Sequence, residues 1–376
     1  MNYTAFNTED FDFRKEPMFF GKQLGVARTD IAKYQVFNDL TEKQLSFFWR
    51  PEEVDITTDR RQFKDLPPNE QHIFTSNLKY QTLLDSVQGR APEQIFGPLC
   101  SLPELGNWIS KWNFSETIHS DSYTHIIRGV YTMPKAQFDE IVRTPEILER
   151  AISVTSDYDK LAHMSHIYEL GLNHRDGLGW VPFKLRDLKR QLLITMFQVQ
   201  IVEAIRFYVS FACSFSFAER SVMEGNAKII KLIARDEALH FISTQEILKL
   251  WKSGRDDAEM GELYAELESS GALVQMYDDA VVQESEWADY LFKDGSMVGI
   301  NADMLKKYVR YMANLRMKQV GLPQPYDSHV NPFPWMSTWL SSDSVQVAPQ
   351  EVELSSYLTG QIDTSIADDD FGDMEL

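Results

Sequence analysis

Long stretches of this chain repeat apolar side chains at intervals of three and four residues, with no linker of low complexity between them. A chain so patterned hides its apolar surface by packing helices side by side around one core. The spacing predicts helices over 35–48, 69–88, 103–130, 145–170, 184–219, 224–252, 258–290 and 302–319. The punctuation agrees: Pro67, Pro68 and Asn69 precede the second, Pro103 and Glu104 open the third, and Gly89, Gly225 and Gly321 fall near ends. The one Gly-rich interruption, 171–182 with Gly177 and Gly179, reads as a loop or short hairpin. The expected fold class is all-α, a helical bundle with additional helices, in which residues 1–340 form one domain.

The end of the chain differs. After Pro323, Pro325, Pro332 and Pro334 the helical period fades, and residues 351–376 hold many acids but no Lys or Arg. Such a segment cannot bury enough to fold alone, so 341–376 is expected to be an extended or disordered tail.

Composition removes several classes of function. A net charge of -19 over 376 residues repels a polyphosphate backbone, and no basic stripe with interleaved aromatics occurs, so nucleic acid is not an expected partner. Cys100 and Cys213 provide neither a disulfide framework nor a thiolate metal site, which fits a reducing cytoplasm. Residues 1–14 show no secretory pattern. The most apolar stretch, 207–218, is broken by Ser210, Ser214 and Ser216 and falls short of the roughly 20 residues that span a bilayer. It is expected to be a buried helix, with no membrane as partner.

Glu-x-x-His occurs twice, as Glu116 with His119 and as Glu237 with His240. A spacing of three sets carboxylate and imidazole on one helix face, where both can grip one ion. In a chain with 56 acidic residues a single copy is most simply a surface pair. Two copies on separate amphipathic helices are harder to dismiss, because two further helices each offer an acid among apolar neighbours. Asp85 follows Leu83 and Leu84, and Glu203 sits inside QVQIVEAIRFYV. A buried carboxylate is costly unless paired or coordinated. One inward acid from each helix, with a His added on two of them, is the di-iron or di-manganese bundle pattern. The carboxylates of Asp85, Glu116, Glu203 and Glu237 together neutralise two divalent cations. Ligands of oxygen and nitrogen without sulfur favour iron or manganese over a thiolate zinc site and do not choose between the two. His163 and His166 also lie three apart, but with no matching second helix they are a surface pair.

Tyr123 follows His119 by four and Glu116 by seven, so all three share one stripe of one helix. A buried Tyr is most often a core residue with one hydrogen bond. Electron counting gives it a further use, because reducing dioxygen to the level of water takes more electrons than two ferrous ions supply on passing to ferric. Tyr123 can give one of the remainder. The last must come from an external donor, and Trp49 in LSFFWRPEEV is a candidate conduit. Phe207 and Phe211, at i+4 and i+8 from Glu203, and Ile233, four before Glu237, are expected to line the ligand faces and shield an oxidised Tyr.

The blocks FSETIHSDSYTHIIR, EAIRFYVSFACSF, MEGNAKIIKLIARDEALH and VQVAPQEVELSSYL resemble the class Ia ribonucleotide reductase β subunit over nearly the whole chain. The resemblance implies a homodimer of ferritin-like fold carrying two iron ions per chain, an oxo-bridged diferric centre with a tyrosyl radical. It implies Asp85, Glu116 and His119 as ligands of one ion, Glu203, Glu237 and His240 as ligands of the other, and Tyr123 as the radical. Asp236 matches the family's link between His119 and Trp49, and Tyr357 matches the Tyr that passes the hole to the α subunit, which the tail binds. From the residues alone, Asp236 is equally a helix-face acid and Tyr357 a peptide anchor. Asp121 adds a negative charge between His119 and Tyr123. Two other readings use the same ligands: a di-iron oxygenase or oxidase acting on a small organic substrate, and a ferritin-like metal store. Tyr123 and the acidic tail speak against the first. Trp49, Asp236 and Tyr357 would be superfluous in the second.

Overall fold

The computed structural model describes residue 4 and residues 6–170, 174–176, 179–181 and 183–340. Tyr357, Gly177 and the acidic segment 351–376 lie outside the described residues. Helices follow in the order α1 (Val36–Ser46), α2 (Thr57–Asp65), α3 (Pro68–Gln88), α4 (Pro103–Val130), α5 (Pro134–Ile141), α6 (Pro145–Leu170), α7 (Leu185–Ile201), α8 (Phe207–Ala218), α9 (Glu224–Lys252), α10 (Ala258–Ser269), α11 (Ala272–Leu291), α12 (Ala302–Gln319) and α13 (Met336–Leu340). Proline stands first in α3, α4, α5 and α6, where its missing N–H breaks no intrahelical bond. Between α6 and α7 the strands β1 (His174–Asp176) and β2 (Gly179–Val181) pair antiparallel, with Arg175 opposite Trp180. Among the described residues the fold is all-α apart from this hairpin, and the Gly-rich interruption takes its expected place.

Three expectations need correction. The run 258–290 is two helices, because Gly271 takes a left-handed φ of 78° that an α-helix cannot continue through. Helices α2, α5 and the short α13 were not expected. The sequence of α2, TTDRRQFKD, has almost no apolar residues for a periodicity to act on. It is held by tertiary contacts instead: Asp59 accepts the backbone N–H groups of Gly225 and Asn226 and so caps α9 from a neighbouring helix. The third correction concerns 184–219. That rod is continuous from Leu185 to Ala218 but contains a π-turn at Val202–Arg206, where the Phe207 N–H reaches the Val202 carbonyl. Glu203 and Phe207 therefore do not stand in the α-helical i, i+4 relation.

α3, α4, the α7–α8 rod and α9 pack against one another, α1 and α2 lie on α4 and α9, and α11 and α12 form a pair that reaches the π-turn. Every residue of α8 is buried, as expected for 207–218. Among the described residues, only Leu185–Ala218 is long and apolar enough to cross a membrane, and its most apolar window is 89% buried inside the protein. It is a core helix.

Candidate metal centre

α4 turns one face inward for most of its length. Trp112, Ser115, Glu116, His119, Ser122, Tyr123, Ile126 and Ile127 are buried, whereas Phe114, Thr117, Asp121 and Arg128 are exposed. The side chain of Asp121 thus points to water, where its charge is screened from the core. His163 and His166 are likewise exposed on α6. α9 brings Asp236, Glu237 and His240 inward, α3 brings Asp85 near its end, and the π-turn brings Glu203. All are fully buried.

Donor atoms of Asp85, Glu116, His119 and Glu237 lie within 4.8 Å of one another, and so do those of Glu116, Glu203, Glu237 and His240. Glu116 and Glu237 belong to both groups, a placement that suits bridging of two ions. His119 turns Nδ1 inward, 3.3 Å from Glu116 Oε2 and 3.2 Å from Glu237 Oε1. His240 does the same, with Nδ1 2.9 Å from Glu116 Oε1 and 3.0 Å from Glu237 Oε2. Both oxygens of Asp85, Oε2 of Glu116, Oε2 of Glu203, Oε1 of Glu237 and Nδ1 of His119 have no hydrogen-bond partner. Carboxylates left this way in a protein interior cost on the order of several kcal/mol each. Oxygen-rich donors converging without partners fit a pair of divalent cations, which would satisfy them together.

The electrostatics without cations say the same. Burial, followed by the charge of Glu116, pushes the Glu237 carboxyl up to about 8, and burial with the neighbouring carboxylates raises Asp85 and Glu203 well above the usual range. Burial opposes ionisation of Glu116 as well, but the two imidazoles hold it below the usual range. Burial disfavours a charged His119, yet the hydrogen bond to Asp236 and the nearby Glu116 and Glu237 carboxylates prevail and raise it. The sign of a pH dependence follows. Asp85, Glu203, Glu237 and His119 hold protons more tightly folded than unfolded, so metal-free protein should lose stability as pH rises from the ordinary Glu value of 4.5 to about 8. Cations need the ionised carboxylates, so the stabilisation they add should grow over the same interval. Thermal midpoints with and without Mn(II) across this range test it, and a metal-free midpoint that rises with pH would contradict it.

Outside the donor ring, Asp236 Oδ2 accepts from Trp49 Nε1 at 2.9 Å and lies 3.1 Å from His119 Nε2. The carboxylate pins the imidazole so that Nδ1 faces the centre. The Trp49 and His119 rings lie near-parallel at 6.4 Å. A surface hollow lined by Leu45, Phe48, Trp49, Phe114 and Asp236 comes up to this triad from solvent. Tyr123 is fully buried with its hydroxyl beside the Asp85 carboxylate, and burial together with the Asp85 charge raises its pKa well above the usual value. Phe207, Phe211 and Ile233 are all buried without exposure. Tyr357, the remaining expected residue, is outside the described residues.

Several contacts were not expected from the residues. Trp112 Nε1 donates to Glu116 Oε1 at 2.9 Å, a pair whose i, i+4 spacing was visible. Ser115 Oγ donates to Asp236 Oδ2 at 3.2 Å and accepts from Gln44 Nε2 at the same distance. Gln88 Nε2 donates to Glu203 Oε1 while its own carbonyl accepts from Tyr158 Oη at 2.8 Å. Nothing in the sequence ties residues so far apart.

Residues 30–332 match the family described as ribonucleotide reductase, small chain. A ribonucleoside-diphosphate reductase subunit beta of Haemophilus influenzae is 55% identical, and a ribonucleoside-diphosphate reductase 1 subunit beta of Escherichia coli O157:H7 is 54% identical, each over 100% of both chains. Among solved structures, the ribonucleotide reductase R2 subunit from Clostridium botulinum superposes with a TM-score of 0.77 at 24% identity, over 91% of this chain and 99% of that one.

Proposed function

Because the chain belongs to the ribonucleotide reductase small-chain family, we propose that it serves that enzyme as the subunit that makes and stores a radical on Tyr123. The observation that carries this reading is the convergence of unpartnered donor atoms from Asp85, Glu116, His119, Glu203 and Glu237 next to a buried phenol. Asp85, Glu116 and His119 would hold one ion and Glu203, Glu237 and His240 the other. Iron is the proposed metal; the donor set also suits manganese. Iron bound there would supply the redox chemistry that reduces dioxygen, and Tyr123 is the residue placed to give up an electron to it. The protein does the rest. Asp236 orients His119 and joins it to Trp49, through which an electron from an external donor enters. Phe207, Phe211 and Ile233 keep water from the neighbourhood of the oxidised phenol.

The proposal extends to a homodimeric, cytoplasmic subunit whose residues 1–340 form the metal-binding domain and whose tail, 341–376, binds the α subunit, with Tyr357 passing the hole. An EPR spectrum of metal-free protein after addition of Fe(II) and oxygen tests metal and radical together: a tyrosyl signal that Tyr123→Phe removes supports the reading, and its absence in the parent chain refutes it. For the tail, truncation after Ser356 should leave the metal centre and the Tyr123 radical normal while removing reductase activity. A peptide of the last 20 or so residues should compete with the intact subunit for α, at modest affinity, because an unstructured segment loses entropy when it orders. Tyr357→Phe should keep binding and lose turnover. Nucleotide reduction by the truncated chain at the parent rate would show that the tail is neither anchor nor relay.

A further inference from the structure

Arg316, on α12, is fully buried, and among the described residues no carboxylate lies within ion-pair distance of it. Burying a guanidinium without a counter-ion costs several kcal/mol, roughly, so its surroundings must explain it. Its Nε donates to the carbonyl oxygen of Ala204 at 3.3 Å and its Nη1 to Gln319 Oε1 at 3.1 Å. The cation stands 4.2 Å over the ring of Phe241 and 5.1 Å over that of Tyr208. Ala204 is the residue after Glu203, inside the π-turn, and Phe241 is the residue after His240. One side chain therefore touches the backbone of the segment that aims Glu203 and packs on the ring beside His240.

The geometry points to Arg316 as a positioning residue that locks the π-turn and thereby aims Glu203. This inference rests on the metal reading above and assigns a device to one of its two ions. A π-turn adds one residue to the helical winding, and each residue turns an α-helix by about 100°. If the extra residue migrates along the Leu185–Ala218 rod, Glu203 rotates off the centre while the rod stays helical and its apolar faces stay buried. Hydrophobic packing alone does not select one position for the insertion. A guanidinium donating to the Ala204 carbonyl does, because its planar, multi-donor head is fixed by Gln319 and by the two rings. Gln88 on α3 holds the Glu203 carboxylate itself, while Arg316 on α12 holds the carbonyl of the next residue, Ala204.

The test compares the full-length chain with Arg316→Met, which keeps length and apolar packing but loses charge and donors. Hydrogen exchange of metal-free protein should speed up about tenfold or more for amides of residues 202–207, with little change in the flanking turns of α7 and α8. Mn(II) titration should show one of two ions weakened roughly 10- to 100-fold, the range usual for loss of an outer partner of a metal ligand, with the other near the parent affinity. Two Mn(II) ions that keep parent affinity, or that weaken equally, overturn the inference. Arg316→Lys, with a cation but no guanidinium plane, is read by the same criteria and serves where Arg316→Met does not fold. Failure of the parent chain to bind two Mn(II) ions would sink the metal reading instead, and the exchange pattern alone would then decide whether Arg316 locks the turn.

Discussion

Tyr123→Phe should fold and load metal much as the parent does, yet form no stable radical and support no measurable nucleotide reduction with the α subunit. The asymmetry has a physical basis. The hydroxyl is buried and faces the Asp85 carboxylate, so deleting it removes one polar contact and relieves a desolvated polar group; the effect on folding should be within about 1 kcal/mol. The ring stays and no cavity forms. What disappears is the phenolic oxygen beside Asp85, from which an electron and a proton can leave together. The high pKa of this phenol means that it is neutral at rest, so its oxidation requires proton loss, and the Asp85 carboxylate is the adjacent base. Metal analysis, EPR and an activity assay with α decide the matter. Full activity in this variant would leave Tyr123 an ordinary core residue.

Glu203→Ala should show the opposite pattern: folding retained or improved without metal, and no stable oxidised dinuclear centre. Glu203 is fully buried, and its burial next to Glu237 and Glu116 raises its pKa well above the usual range, so in the metal-free protein it adds repulsion or a bound proton. Removing it relaxes that strain. With cations present the same change deletes a ligand and one compensating charge, and the loss in affinity for the second ion should exceed the roughly 100-fold seen for outer partners. His240→Ala should fail in the same way. The measurements are the thermal midpoint of metal-free protein and the ligand-to-metal absorption after iron and oxygen. Two tightly held ions with parent absorption in Glu203→Ala would remove Glu203 from the ligand set.

The order of stability in these variants reflects how the centre was built. Asp85, Glu116, Glu203 and Glu237 oppose burial individually and are tolerated because helices packed for other reasons carry them inward. Glu116 and His119 share a face with Trp112 and Tyr123 because an α-helix returns to the same side every three to four residues. Glu237 and His240 do so for the same reason on α9. That part of the site was legible in the residues, as were the long helices and the buried character of 207–218.

The features legible in the residues are local: helical period, proline starts, and the spacing of Glu116, His119 and Tyr123, all governed by backbone geometry within one element. The break at Gly271 carried a local signal too, in the Ser-Ser-Gly that precedes α11. Everything else came from packing between elements. The short helix α2 exists because Asp59 finds the start of α9; Gln88 meets Glu203 because α3 ends level with the π-turn; Arg316 reaches Ala204 from α12. The position of the π-turn is likewise not written in any residue type, since VEAIR would continue an ordinary α-helix. Contacts between helices depend on the rotation and height at which each one seats, and those are chosen by packing the whole core together, where no single stretch of chain holds the information.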